Sequence, residues 1–384
     1  MSTQGTAAAT AATTGIRPEA DATQASNDNA SAQSAAAATS ATSPTPFLEF
    51  VKRVLPKIED ALRECIPTPL ETSQSADLER YLYEPLRRMV FAGGKRIRPA
   101  LCLLGATAAG AIEDCALPAA CAVELFQAAA LIHDDIADKS ELRRGMPCIH
   151  ITDGTGIAIN AGDVAIVHVL SQVLFEGEFS PLARVELARM LYDMQRYTLE
   201  GQALDLGWVR DGRWDLTEQD YLNMATLKTA YYSAASPLAF GVRCADGNPL
   251  LAKALHDFGL AAGLAFQIQD DILNLVGDAA AQGKDFRSDV TEGKRTLVMV
   301  RALQHLEPSD ANELRAILSA HTTEKDALAR AVELATEAGA VDYARAYAQG
   351  LVQDAEAQLD IAQISSEARS VLVSMANYFV SREA

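Results

Sequence analysis

The chain has 384 residues, 49% of them hydrophobic and only 6% aromatic, and carries a net charge of −18. Its length allows one large domain or two, and abundant Ala and Leu with few aromatics favour helix over sheet. The acidic balance argues against non-specific binding to nucleic acid or to an anionic membrane surface, and six cysteines without a CxxC pair argue against a disulfide or zinc framework and for buried thiols in a reducing, cytoplasmic compartment.

Residues 1–45 are Ala, Ser, Thr, Gln and Asn with almost no large apolar side chain. Such a segment buries too little surface to offset its ordering entropy, so a disordered low-complexity tail is expected. One base, Arg17, against three acids, Glu19, Asp21 and Asp28, is the wrong balance for a transit peptide. From Phe47 onward apolar residues recur at helical spacing, interrupted by turn signals such as Pro67-Thr68-Pro69, Gly93-Gly94, Gly145-Met146-Pro147 and Gly247-Asn248-Pro249. This predicts one all-α domain over 46–384, a bundle of about ten or more helices. No apolar run is expected to reach the ~18 residues that span a bilayer.

The first chemical motif is FAGGKRIRP, Phe91 to Pro99. Its glycines let backbone approach a ligand, and Lys95, Arg96 and Arg98 crowd positive charge that a polyanion such as diphosphate would relieve. Leu117 to Ile136 follows, apolar nearly all round, and ends in LIHDDIAD with Asp134, Asp135 and Asp138. Asp134 and Asp138 are four apart and share a helix face, where carboxylates among Leu, Ile and Ala are costly unless a cation joins them. Hard divalent ions prefer such oxygens, and Mg2+ is usually shared with substrate phosphates. Arg143 and Arg144 come next, in ELRRGMP.

Lys228 and Thr229 lie in the apolar stretch NMATLKTAYYSAASPLAF. A second long apolar segment, Leu255 to Leu275, carries FQIQDDILN, in which Gln267, Asp270, Asp271 and Asn274 again share a face. GKDFRSDVTEGKRT then supplies Lys284 and Lys294. Acids followed by bases occur twice, as metal ligands followed by phosphate clamps would. The sequence has no HExxH, GxSxG or GxxxxGK[ST] pattern, which argues against zinc hydrolase, serine hydrolase and P-loop chemistry.

In their order and spacing GGKRIRP, LIHDDIAD with LRRG, AGD at 161–163, GQALDL at 201–206, LKT at 227–229, FQIQDDILN and EGKRT make the sequence closely resemble the trans-isoprenyl diphosphate synthases, from Phe47 to the C-terminal NYFVSRE. The resemblance implies an isoprenoid synthase-type all-α bundle around a deep central cavity, usually a homodimer, with about three Mg2+ per active site. It implies Asp134, Asp138 and Asp270 as main metal ligands, with Asp135 and Asp271 in support. Lys95, Arg98, Gln127 and Arg144 would hold isopentenyl diphosphate. Arg143, Lys228, Lys284 and Lys294 would clamp the allylic diphosphate (dimethylallyl, geranyl or farnesyl), with Gln202 and Asp205 nearby. Thr229 and Gln267 would turn oxygen dipoles toward a carbocation. Asn274 stands where many relatives have a third aspartate, which implies a weaker second metal-binding helix.

Product length is expected to depend on the helix that carries Asp134. Ala129 and Ala130, five and four residues before it, are too small to block a growing tail, and Phe126, eight before it, is the next bulky residue. One helical turn adds about 5 Å, close to one isoprene unit. Relatives that stop at farnesyl often place an aromatic at the five- or four-before position, so geranylgeranyl diphosphate is the expected product. Val164, Val167 and His168 are candidates to share the floor. The alternatives are a farnesyl or longer-chain (C30 or more) synthase, a terpene cyclase, which would not need GGKRIRP, and a weakly active or non-catalytic partner subunit.

Overall fold

The computed structural model describes residues 45–277 and 287–382. The expected tail and Lys284 therefore lie outside the described residues. The described residues are almost entirely helical; among them the only β structure is one two-residue antiparallel rung, Leu142–Arg143 against Met146–Pro147, just after the first acidic motif. The principal helices are α1 (Thr45–Cys65), α2 (Glu84–Phe91), α3 (Ile97–Ala108), α4 (Leu117–Ala137), α5 (Thr155–Ser171), α6 (Pro181–Arg210), α7 (Glu218–Ala225), α8 (Ser236–Cys244) and α9 (Pro249–Val276). After them come α10 (Leu297–His305), α11 (Pro308–Ser319), α12 (Lys325–Glu337), α13 (Ala340–Gln358) and α14 (Ser366–Ser381).

Local signals explain the starts of the helices that position the site. Asn248 accepts a hydrogen bond from the Leu250 amide and Pro249 opens α9, while α4 and α6 also begin with proline in the first turn. Thr217 and Asp220 form a reciprocal capping box that starts α7. Between α7 and α8 the chain runs as a ten-residue π-type segment, Thr226–Ala235, which carries Lys228 and Thr229. Wide turns of this kind are rare and concentrate at functional sites.

Helices α4 and α9 are buried nearly all round and form the middle of the bundle, with Phe126, Ile132, Leu255, Phe258 and Ile268 in its core. Their C-terminal ends bring the two acidic motifs to one cavity. The crossing of α6 over the π-type segment is very close: a Cβ on Gly201 would stand 2.2 Å from the Lys228 amide nitrogen. Glycine at 201 thus permits the approach that sets Lys228 beside Asp205.

Two helical stretches, Glu113–Ala137 and Thr155–Glu176, are long and apolar enough to cross a membrane by length and composition alone, each being a helix extended by a short turn. The first is a core helix, 72% of its apolar window being buried. The second buries only 39% of its window and shows Val167 and Phe175 on its surface.

Candidate active site

The end of α4 places its three aspartates unequally. Asp134 and Asp138 line the central cavity. Asp134 accepts a short hydrogen bond from the Gln202 amide, and Asp138 accepts one from Lys294 Nζ at 3.1 Å. Burial raises the Asp138 pKa, opposed by Lys294 and reinforced by Asp134. Asp135, expected as a supporting metal ligand, is instead 1% exposed, lies off the cavity wall and accepts from Arg143 Nε at 2.8 Å. One residue on from Asp134 the helix has turned by roughly 100°, so its carboxylate orients Arg143, which does line the cavity.

The end of α9 differs. Asp270 lines the cavity and is held by the guanidinium of Arg382, near the far end of the chain. Asp271 also borders the cavity, but it takes hydrogen bonds from the buried Tyr221 hydroxyl at 2.7 Å and from Gln267 Nε2 at 2.6 Å. Burial, with Asp289 nearby, pushes its pKa up to about 8. The expected supporting ligand is thus a hydrogen-bonded wall group. Gln267 in turn accepts from Thr229 Oγ1 at 2.7 Å, so Thr229, Gln267, Asp271 and Tyr221 form one chain. Asn274 does not reach the cavity as a diminished ligand. It is 1% exposed and hydrogen-bonds to the helical turn Ser288–Thr291.

Basic residues stand between the acidic ends. Lys228 pairs with Asp205 at 2.6 Å, both within the cavity wall. Burial works against its charge, but Asp205 and Asp134 outweigh it and hold the lysine protonated. Lys294 joins Asp138, Asp289 and Glu292.

A second basic pocket adjoins, lined by Lys95, Arg98, Gln127 and Arg144 together with Arg382. Arg98 donates to Tyr232 Oη at 3.0 Å and Ser233 Oγ at 2.8 Å, while its buried Nε and the buried Gln127 Oε1 have no protein partner. Gly94 turns with φ +134°, and a Cβ there would come within 3.1 Å of the Arg144 guanidinium. Arg144 is itself left-handed at φ 55° and donates to the Gly93 carbonyl. The third cation of the motif, Arg96, turns inward. It is 3% exposed, left-handed at φ 47°, and held by Glu59, Glu124 and the Val90 carbonyl at 2.6–2.7 Å. The basic cluster therefore divides: Lys95 and Arg98 serve the pocket, and Arg96 anchors the loop.

An apolar pocket runs from Asp134 and Lys228 past Ala130 and Ile166 to Phe126. Phe126 packs edge-to-face on Tyr232, their ring centroids 5.8 Å apart. Ala129 does not line it but is wholly buried in the core, because residues four and eight before Asp134 share its row and the residue five before does not. Val164, Val167 and His168 do not line it either; their neighbour Ile166 does, with Leu199 and Leu206 of α6.

Motif reading did not single out Arg382, Asp289, Glu292, Tyr221 or Tyr232. Asp289, Glu292, Tyr232 and Arg382 lie inside quoted stretches but carry no local sign of their role, and Tyr221 lies outside every one of them. Among the described residues, no three Asp, Glu, His or Cys side chains already converge to hold an ion, each cavity aspartate on the two acidic helices being engaged by a protein donor.

A polyprenyl synthetase family profile matches residues 79–335. The chain is 39% identical over 295 residues to a short chain isoprenyl diphosphate synthase of Methanothermobacter thermautotrophicus, covering 77% of this chain and 88% of that one. It is 34% identical to a geranylgeranyl diphosphate synthase of Methanosarcina mazei (79% and 90% covered) and 33% identical to a geranylfarnesyl diphosphate synthase of Aeropyrum pernix (77% and 92%). Among solved structures it resembles a geranylgeranyl pyrophosphate synthetase of Pyrococcus horikoshii, with TM-score 0.79, 30% identity and 88% and 99% coverage. It also resembles a geranylgeranyl pyrophosphate synthase of Corynebacterium glutamicum complexed with isoprenyl diphosphate and magnesium, with TM-score 0.76, 31% identity and 88% and 98% coverage.

Proposed function

The chain belongs to the polyprenyl synthetase family and is a trans-prenyltransferase, and on that premise we propose that it joins isopentenyl diphosphate to an allylic diphosphate with geranylgeranyl diphosphate as its product. The observation that carries the product assignment is the aromatic floor, Phe126 on Tyr232, two helical turns below Asp134 with only Ala130 between on that row.

Two basic pockets suit two diphosphates. Arg143, Lys228 and Lys294 surround the leaving allylic group, and Lys95, Arg98, Gln127 and Arg144 hold the second substrate; a terpene cyclase would not need that second pocket. The donor set of Asp134, Asp138 and Asp270 fits a hard divalent cation, being carboxylate oxygen only, on two helices that face one cavity. Bound Mg2+, about three ions per site, would neutralise charge on the departing diphosphate. The chain's own groups orient and shield the reaction. Arg143, Lys228 and Lys294 stabilise the leaving oxygens, Thr229 and Gln267 present oxygen dipoles to the allylic cation, and the apolar walls keep water from it.

We read 46–384 as the synthase domain. We also propose a homodimer, supported by exposed apolar side chains along α5 and α6, among them Val167, Leu182, Val185 and Leu199. Six free cysteines accord with a cytoplasmic site of action.

The test is elongation by the purified protein with Mg2+, isopentenyl diphosphate and each of dimethylallyl, geranyl and farnesyl diphosphate. Geranylgeranyl diphosphate is expected; geranylfarnesyl diphosphate, the product in the names of some relatives, would place the floor lower. Phe126→Ala should lengthen the product, and an unchanged product profile would remove Phe126 from the floor.

A further inference from the structure

Position 274 sits one turn beyond Asp270, where a third carboxylate would complete the acidic face of α9. Both polar atoms of its side chain are engaged elsewhere. Asn274 Nδ2 donates to Ser288 Oγ at 3.1 Å, and Asn274 Oδ1 accepts the Asp289 backbone N–H at 3.1 Å. One buried amide therefore fixes both a side chain and the main chain at the start of the turn Ser288–Thr291. An amide suits this place because it donates and accepts at once, whereas a carboxylate would add charge beside Asp271 and Asp289.

That turn is part of the cavity wall. Ser288, Asp289, Glu292 and Lys294 all face the cavity. Within it, the Lys294 amide donates to the Asp289 carbonyl at 2.8 Å, which ties the two residues together. Their side chains also meet, Lys294 Nζ lying 3.8 Å from Asp289 Oδ1 and 3.1 Å from Asp138 Oδ2 of the opposite helix. A carboxylate on the turn thus reaches the same cation as the first acidic helix.

We infer that Asn274 is a positioning residue, not a weakened metal ligand, and that Asp289, set in place by it, supplies the carboxylate that α9 lacks at position 274. Asp289 serves the divalent cation and diphosphate that occupy this end of the cavity, and Asn274 acts only through the turn. The inference rests on the metal reading proposed above.

The two readings of Asn274 predict opposite responses to Asn274→Asp. Mn2+ is the probe, titrated by electron paramagnetic resonance with and without inorganic pyrophosphate against wild type, Asn274→Asp, Asn274→Ala and Asp289→Asn. Asp289→Asn, which leaves the buried amide intact, should weaken Mn2+ binding in the presence of pyrophosphate by about tenfold or more. Asn274→Ala should weaken it in the same direction and raise KM for the allylic diphosphate more than it lowers kcat, and Asn274→Asp should bind no more tightly than wild type. Tighter Mn2+ binding by Asn274→Asp, or unchanged binding by Asp289→Asn, overturns the inference. If the wild-type chain binds no Mn2+ with pyrophosphate, the metal reading itself fails, which is a separate result.

Discussion

The ends of α4 and α9 bring the same Asp-Asp pair to one cavity and use it differently. At α4 the first and last aspartates of the motif face the cavity and the middle one turns back to orient Arg143. At α9 only Asp270 stands among charged partners, Asp271 is tied to Tyr221 and Gln267, and Asn274 holds a turn. A repeated motif fixes spacing along a helix, but the elements packed around that helix decide which carboxylate is left facing the cavity. On the proposed function the first helix would supply a pair of metal ligands and an orienting acid, and the second one ligand on a hydrogen-bonded wall.

Substitutions can break or sharpen that comparison. Asp134→Asn should have the largest effect, lowering the single-turnover rate by about a thousandfold, because it removes a carboxylate that would hold the Mg2+ stabilising the leaving diphosphate. Asp135→Asn should leave Mn2+ affinity near that of wild type while raising KM for the allylic diphosphate by about tenfold, through the loosened Arg143. An equal loss of Mn2+ binding in Asp134→Asn and Asp135→Asn would show that the α4 aspartates are not divided as described. Asp271→Asn should be the mildest, lowering kcat by less than about tenfold, since the amide oxygen keeps one of the two accepted hydrogen bonds in a group that belongs to the cavity wall. If it proved as damaging as Asp270→Asn in a parallel assay, the contrast between the two helices would collapse.

Much of this arrangement was legible in the chain itself. Apolar residues at helical spacing announced an all-α bundle, and the i, i+4 relation put Asp134 and Asp138 on one face. Spacing also put Phe126 on the row of Asp134, where it lines the apolar pocket; Ala129 was named because relatives vary at both the five- and four-before positions, and it lies off that row. What it could not supply were partners from remote segments. Nothing local to FAGGKRIRP says that Arg96 adopts a left-handed backbone and turns to Glu59 and Glu124. Likewise, the burial of Asp271 depends on Tyr221, fifty residues away, and the partner of Asp270 is Arg382, 112 residues away. The apparent defect at Asn274 was a matter of counting charges along one helix, without the turn packed against it.

The ring of Tyr232 deserves a last thought for anyone who would redesign this enzyme. It lines the apolar pocket beside Phe126 and also carries the Arg98 guanidinium, 4.5 Å from the ring centre and bonded to its hydroxyl. On the proposed function it borders the room that measures the product and, through Arg98, braces the room that admits the next building block. Deepening the first by removing Phe126 leaves the neighbour's wall standing. Deepening it by removing Tyr232 also strips Arg98 of its support, so product length and affinity for isopentenyl diphosphate change together along that route and separately along the other.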